Sequence, residues 1–250
     1  MNTEKFTGKA RIYQKYRAHY PEQFIEYLFF TGELDKHSTI ADIGSGTGIL
    51  TRQLLEKGCR VLGVEPNDDM RTIAEMELAS YKNFVSVNGT AENTTLQEKS
   101  ADCLTAAQSF HWFDPESFKS ECRRVLKPGC KVVLVWNSRI MESKVILENA
   151  EICSQLCPKF RGFSGGYDEN PSSYLSFFRQ GECELKTFEN NIVYNREAFV
   201  GRNLSSSYAP KMGEDNYDRF IYELNNLFDK FSKEGRLILP NVTRSYSGRV

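Results

Sequence analysis

The most constraining feature of this chain is the run Ala41-Asp42-Ile43-Gly44-Ser45-Gly46-Thr47-Gly48, an acidic residue and three alternate glycines between an apolar segment and a helical pattern. Glycines there let the backbone turn tightly and approach a ligand closely, and the helix that follows offers free N–H groups. Spacing narrows the ligand. A dinucleotide fingerprint requires Gly-x-Gly-x-x-Gly, whose third glycine would stand where this chain has Ile49, and Asp42 would set a carboxylate against a pyrophosphate. A ligand with an ammonium group and no phosphate fits better. Glu65 closes the next strand 21 residues after Gly44, where an acidic side chain accepts hydrogen bonds from both ribose hydroxyls.

Around this loop, strand-like and helical patterns alternate. Residues 39–43, 60–65, 84–88, 101–108 and 131–137 read as strands. Between them lie a helix over 47–57 closed by Gly58, one capped by Asn67 with Met70, Ile73, Ala74 and Leu78 on its apolar face, and one opened by Asp114 and Pro115. Such alternation predicts a parallel sheet with helices on its faces. Two helical segments precede it, one holding Phe6, Ala10, Tyr13, Tyr16 and Tyr20, the other starting at Pro21. After it come a helix over 142–157, a loop-rich stretch over 158–175, a strand over 182–194, a helix over 217–231 and a strand over 242–250; the two late strands suggest a hairpin at the sheet edge. The expected organisation is a single domain: a helical lid (1–35), a cofactor-binding core (36–140), a variable cap or substrate region with a late strand (141–235) and a closing edge strand (236–250).

Composition removes several classes of function. Thirty-two Lys and Arg against 33 Asp and Glu leave a net charge of −1, with no basic field for nucleic acid or an anionic membrane. No stretch of about 18 apolar residues offers a membrane span, and the N-terminus lacks the apolar run of a leader, so a cytoplasmic protein with a small or neutral partner is expected. Seven scattered cysteines, an odd number, fit reduced thiols better than disulfides. Cys153 and Cys157 share a helical spacing, but no second pair follows at zinc-site spacing, so no metal is expected. The sequence does not set the oligomeric state.

Together these residues resemble the class I S-adenosylmethionine-dependent methyltransferases, whose first motif is an acidic residue followed by Gly-x-Gly-x-Gly and whose second strand ends in an acidic residue. Val87-Asn88-Gly89-Thr90-Ala91-Glu92 resembles the family's adenine-binding turn, Ala101-Asp102-Cys103-Leu104 its fourth strand, and Arg124-Val125-Leu126-Lys127-Pro128-Gly129 its turn before the fifth. Thr90 stands where relatives often carry Asp, and Cys130 where they usually carry a second Gly. Gln108-Ser109-Phe110-His111-Trp112-Phe113, Tyr16-Arg17-Ala18-His19-Tyr20-Pro21, Ser205-Ser206-Ser207-Tyr208-Ala209-Pro210 and Thr243-Arg244-Ser245-Tyr246 are similar to a small-molecule subgroup that includes trans-aconitate-type carboxyl methyltransferases. The resemblance implies a Rossmann-like, doubly wound, mostly parallel seven-stranded sheet with an antiparallel edge strand. It implies S-adenosylmethionine as cofactor and a small-molecule methyl acceptor, a carboxylate among the candidates. Asp42, Gly44, Ser45, Gly46 and Gly48 would hold the methionine end, Glu65 beside Pro66 the ribose, and Met70 one face of the adenine. Thr90, Ala91 and Glu92 would hold its polar edge, and Gln108 would flank the sulfonium.

Several residues keep two readings. Met70 serves as core or as adenine platform, or as both. His111 is a general base, a positioning group or a loop histidine without a chemical role, and a base is needed only for an acceptor that is not already ionised. Trp112 reads as a pocket wall. Tyr13, Tyr16, Arg17 and Tyr20 fall at helical spacing; Tyr16, Arg17 and Tyr20 are expected in a lid that excludes water, with Arg17 able to engage a carboxylate. Phe160, Phe163 and Tyr167 add aromatic surface in the cap. The rival function is a methyltransferase-like protein that binds the cofactor and acts through a protein partner without turnover. Base methylation in DNA is disfavoured, because the chain has neither an Asn/Asp-Pro-Pro-aromatic motif nor a Pro-Cys pair.

Overall fold

The computed structural model describes residues 14–163 and 172–250. Tyr13 and Tyr167 lie outside the described residues. Strands β1 (Thr39–Ile43), β2 (Arg60–Val64), β3 (Phe84–Val87), β4 (Ala101–Ala107) and β5 (Leu126–Arg139) form a parallel sheet in the order β3-β2-β1-β4-β5. Ile40, Ile43, Val61, Val64, Leu104 and Val132 to Val135 are fully buried. Cover on both faces is why these strands are mainly apolar and do not alternate apolar with polar residues. Helices α1 (Glu22–Gly32), α2 (Ile49–Glu56), α3 (Asp68–Glu77) and α4 (Pro115–Val125) accompany them. The caps form as their sequences dictate: Asn67 Oδ1 accepts from the Met70 N–H at 3.0 Å, and Asp114 Oδ1 from the Ser117 N–H at 2.9 Å.

Beyond β5 the chain adds α5 (Lys144–Leu156), β6 (Glu184–Glu189), β7 (Ile192–Tyr194), α6 (Arg196–Leu204), α7 (Tyr217–Phe231), β8 (Leu237–Leu239) and β9 (Asn241–Gly248). β9 runs antiparallel between β5 and β6, with Val133 opposite Ser247 and Lys186 opposite Ser245. The closing strand expected over 236–250 therefore lies one place in from the margin, and β6 takes the edge. The strand expected over 182–194 is two. Asn190 and Asn191 break it, and β7 leaves the main sheet to pair with β8 in a separate two-stranded ribbon. The ribbon has its own reason to form: Tyr194, Leu237 and Leu239 are buried with Phe199, Phe220, Leu224 and Phe228 in a core distinct from the two that flank the sheet. Cys153 and Cys157 belong to that core.

The helical lid expected over 1–35 is also corrected in part. α1 buries Phe24, Ile25 and Leu28 against the sheet and is core, since an apolar stripe of that size has nowhere else to go. The helical turn before it ends at Tyr16, so Tyr16 and Tyr20 do not share a helix face. Residues 17–20 run as a strap toward Pro21, as suits a residue that precedes proline.

Candidate functional site

A cleft opens over the carboxyl ends of β1, β2, β4 and β5, where the strand order reverses between β1 and β4 and α/β sheets take their ligands. The glycine loop forms its floor. The Gly44 and Ser45 N–H groups donate to the Val64 carbonyl at 2.8 and 3.1 Å, which hangs the loop from the end of β2. All three alternate glycines have positive φ, each in different surroundings. A Cβ on Gly44 would lie 2.6 Å from Ser109 Cβ, and one on Gly48 2.7 Å from Leu78 Cδ1, whereas one on Gly46 would meet nothing within 4 Å. Gly44 and Gly48 thus permit packing, while Gly46 leaves backbone bare toward the cleft.

Two carboxylates face this loop. Asp42, 1 % exposed, accepts from Thr51 Oγ1 at 2.7 Å and Thr105 Oγ1 at 2.9 Å. Burial raises its pKa to about 6, against the opposing pull of the two hydroxyls. Glu65 spans two donors, Oε2 accepting from the Gly46 N–H and Oε1 from the Asn67 N–H, both at 2.9 Å. Its pKa is also raised by burial, with those amide bonds opposing.

Of the residues named from the sequence, Asp42, Gly44, Ser45, Gly46, Glu65, Pro66, Met70, Gln108, Trp112, Arg17 and Tyr20 line the cleft. Gln108 sits at φ +57°, unusual for a residue with a side chain, and Nε2 donates to the Asn137 carbonyl at 2.9 Å. Such a conformation at the end of a strand marks a position held by its surroundings. The strap is pinned as well: Tyr20 N–H donates to Gln53 Oε1 at 3.0 Å, Gln53 Nε2 returns a bond to the Tyr20 carbonyl at 2.7 Å, and Asn190 Nδ2 donates to the His19 carbonyl at 3.1 Å.

Other expected residues stand elsewhere. Gly48 is the N-cap of α2. Thr90, Ala91 and Glu92 are not among the described residues lining the cleft: the Thr90 N–H closes a turn to the Asn93 carbonyl, Ala91 is buried in the core, and Glu92 Oε1 accepts from the Asp114 N–H at 3.0 Å. His111 is also absent from the lining; it lies in the short turn Phe110–Trp112, where Nδ1 accepts from Trp136 Nε1 at 3.5 Å. Tyr16 bonds outward to Glu197 Oε1 at 2.7 Å and packs on Gly201. Sequence reasoning missed the far end of the cleft, made by Asn137 and Arg139 at the end of β5, Tyr194 and Leu239 from the ribbon, Arg202 on α6, and Asn241. Arg139 carried a signal, a basic residue closing an apolar strand at the ligand edge. Arg202 carried none.

Residues 41–134 match the family described as a methyltransferase domain. An uncharacterized methyltransferase of Mycobacterium tuberculosis is 36% identical over 134 residues, 54% of this chain and 52% of the relative. One of Schizosaccharomyces pombe is 34% identical over 155 residues, 60% of this chain and 57% of the relative. The match thus spans about half the length of these curated relatives. Among solved structures, a candidate type II methyltransferase from Anaeromyxobacter dehalogenans aligns with TM-score 0.64 at 23% identity, covering 93% of this chain and 97% of that one. The YcgJ protein of Bacillus subtilis aligns with TM-score 0.56 at 20% identity, covering 92% and 100%. At these identities the structural likeness is one of fold. Residues 41–134 thus match a methyltransferase-domain family and carry the strand order and the glycine loop described above.

Proposed function

We propose that this protein transfers the methyl group of S-adenosylmethionine to a small-molecule acceptor bound in the same cleft. The observation that carries the reading is the polarity of that cleft: its carboxylates, Asp42 and Glu65, stand at the glycine-loop end, and Arg139 and Arg202 line the other. The loop end suits the cofactor. Two acids and no cation on the loop repel a phosphate and favour an ammonium group, and each Glu65 oxygen keeps a lone pair for a ribose hydroxyl after accepting one amide N–H. Met70, 3 % exposed, offers an apolar face to an adenine while packing in the core. When bound, the cofactor supplies a methyl group already activated by its sulfonium.

The chain's own contribution is alignment and exclusion of water. Gln108, fixed through Asn137, and Tyr20, clamped to Gln53, hold the middle of the cleft in one geometry, and pre-paid alignment of this kind is a large part of rate acceleration. Arg17 and Tyr20 line the cleft from the strap, and the bulk of both side chains keeps water from the ligands. His111 stands outside the lining, which favours an acceptor oxygen that is ionised without help, a carboxylate with an ordinary pKa near about 4. This agrees with the resemblance to the carboxyl-methylating subgroup.

Calorimetry with S-adenosylmethionine, S-adenosylhomocysteine and NAD, followed by transfer of labelled methyl to a panel of small carboxylic acids, tests the reading. Binding of both sulfur nucleosides, none of NAD, and label in a small acid are expected. Response to NAD alone would overturn the cofactor. Label only in protein or nucleic acid would overturn the acceptor class, and binding without transfer to any pool would leave a cofactor-binding protein.

A further inference from the structure

Arg139 ends β5 and Arg202 projects from α6, so two guanidinium groups from different parts of the fold reach one end of the cleft. Among the described residues neither forms an ion pair within 4 Å. The contacts shown for Arg139 are a stack over the Phe163 ring at 3.8 Å and, for Arg202, a bond from Nη1 to Ser206 Oγ at 3.3 Å. Neither contact brings a negative charge. A ring face holds a guanidinium in place and leaves its edge donors open.

We propose that Arg139 and Arg202 form an oxyanion subsite that anchors a carboxylate or phosphate group of the methyl acceptor through their planar forks. Guanidinium forks match the spacing of two oxygens on one anion, and a site with like charges adjacent and no counter-ion is completed by such a group. Burial, with Arg202 next, pulls the Arg139 pKa down to about 10, so the side chain stays charged at pH 7 and gains from a counter-charge. Tyr194 and Asn241 border the same end. The group held there is an anchor and not the methylated one, because an anion gripped by two forks has its lone pairs engaged. The carboxylates at the loop end repel the same anion, so the charges of the cleft also set the direction in which the acceptor lies.

This inference rests on the proposed function for the identity of the ligand, and its test separates the two. Malonate and inorganic phosphate are titrated calorimetrically into the protein with and without S-adenosylhomocysteine, then into Arg139→Gln, Arg202→Gln and the corresponding lysine variants. Saturable binding is expected in the wild type, at least tenfold weaker in each glutamine variant and intermediate with lysine, with S-adenosylhomocysteine affinity changed less than about threefold. Tighter binding of malonate than of phosphate would assign a carboxylate, and the reverse a phosphate. No saturable anion binding, or variants that bind as the wild type, would overturn the subsite while nucleoside binding still supports the function. A glutamine variant that loses S-adenosylhomocysteine instead would overturn it too, by giving the arginines to the cofactor's own carboxylate. Anion binding through both arginines in a protein that ignores S-adenosylhomocysteine would uphold the subsite and remove the proposed function.

Discussion

At the glycine-loop end of the cleft, the acids, the glycines and Met70 all come from the continuous stretch between Asp42 and Met70. At the other end Arg139, Tyr194, Arg202 and Asn241 come from a strand, a ribbon, a cap helix and the start of β9. The first end is held by backbone geometry and short-range bonds, the second by a core of its own around Phe199, Phe220, Leu224 and Phe228. A site of the first kind has a fixed spacing along the chain, because each glycine answers a local demand of the turn. A site of the second kind has none, because its residues meet only after the cap has packed. The difference carries chemistry too: a loop fixed by its backbone tolerates few changes of side chain or ligand, and an assembled wall can change its ligand by exchanging single side chains.

The largest expected effect breaks or confirms the account of the loop. Gly44→Ala combines an unfavourable positive φ with a Cβ placed 2.6 Å from Ser109, and should cost roughly 2–5 kcal/mol of stability. Gly46→Ala has the same backbone problem and open space for its methyl, so it should cost about 1–2 kcal/mol. Urea unfolding of the two proteins measures both. Equal costs would mean that the close approach to Ser109 does not hold the loop.

Legibility follows the same division. The five parallel strands, α2 to α4 and their caps at Asn67 and Asp114 were readable because apolar runs, glycines and cap residues lie within a few positions of one another. The place of β9 was not, since nothing local tells whether a late strand joins the edge or inserts beside β5. Tyr16 was misplaced for a related reason: its spacing from Tyr20 suits a helix, but the chain leaves the helical turn before Pro21, and Glu197 and Gly201 from the cap then capture the ring. Arg202 could be found only once α6, packed on β7 and α7, brought it to the cleft.

A second, smaller effect concerns Glu65. Glu65→Gln keeps one carbonyl oxygen and sets an amide N–H₂ against either the Gly46 or the Asn67 N–H, so it loses one loop bond and one ligand acceptor. A hydrogen bond to a charged group contributes roughly 1.5–3 kcal/mol, hence S-adenosylhomocysteine should bind about ten- to a hundredfold more weakly, measured by calorimetry. Anion binding at Arg139 should be unchanged. An unaltered nucleoside affinity would place Glu65 outside the ligand contact; a simultaneous loss of anion binding would show that the two ends are not independent.

Asp42 tests whether the loop end gives up stability for its charge. Its folded pKa of about 6 lies above the unfolded value near about 3.9, so the folded protein binds the proton more tightly. Stability from this group is therefore fully present below about pH 4 and is lost as pH rises through about 6. Asp42→Asn removes the buried charge and can still bond both Thr51 and Thr105, so at pH 7.5 it should raise stability by about 1–3 kcal/mol while weakening the cofactor. Melting curves between pH 4 and 8 provide the measurement. A variant less stable than the wild type at pH 7.5 would show that the charge is well solvated by its two hydroxyls.

The smallest effect is expected at His111, the residue whose position in the sequence most invites a catalytic role. It follows β4 at the ligand edge, beside Trp112, whose ring centroid is 4.6 Å away. Yet Trp112 lines the cleft and His111 does not, and its Nδ1 takes the Trp136 indole N–H. His111→Asn leaves an acceptor for that indole and removes no group from the cleft, so turnover should fall by less than about tenfold, where loss of a general base costs about 10²–10⁴-fold. The pH profile decides the matter only if it is read as a comparison, because Asp42 can itself add an inflection near pH 6. Measured at saturating cofactor with the acceptor that the labelling experiment identifies, the profiles of variant and wild type should superimpose. A hundredfold loss that also removes an inflection would put His111 in contact with the acceptor, and would mean that the turn from Phe110 to Trp112 rearranges when the cleft fills.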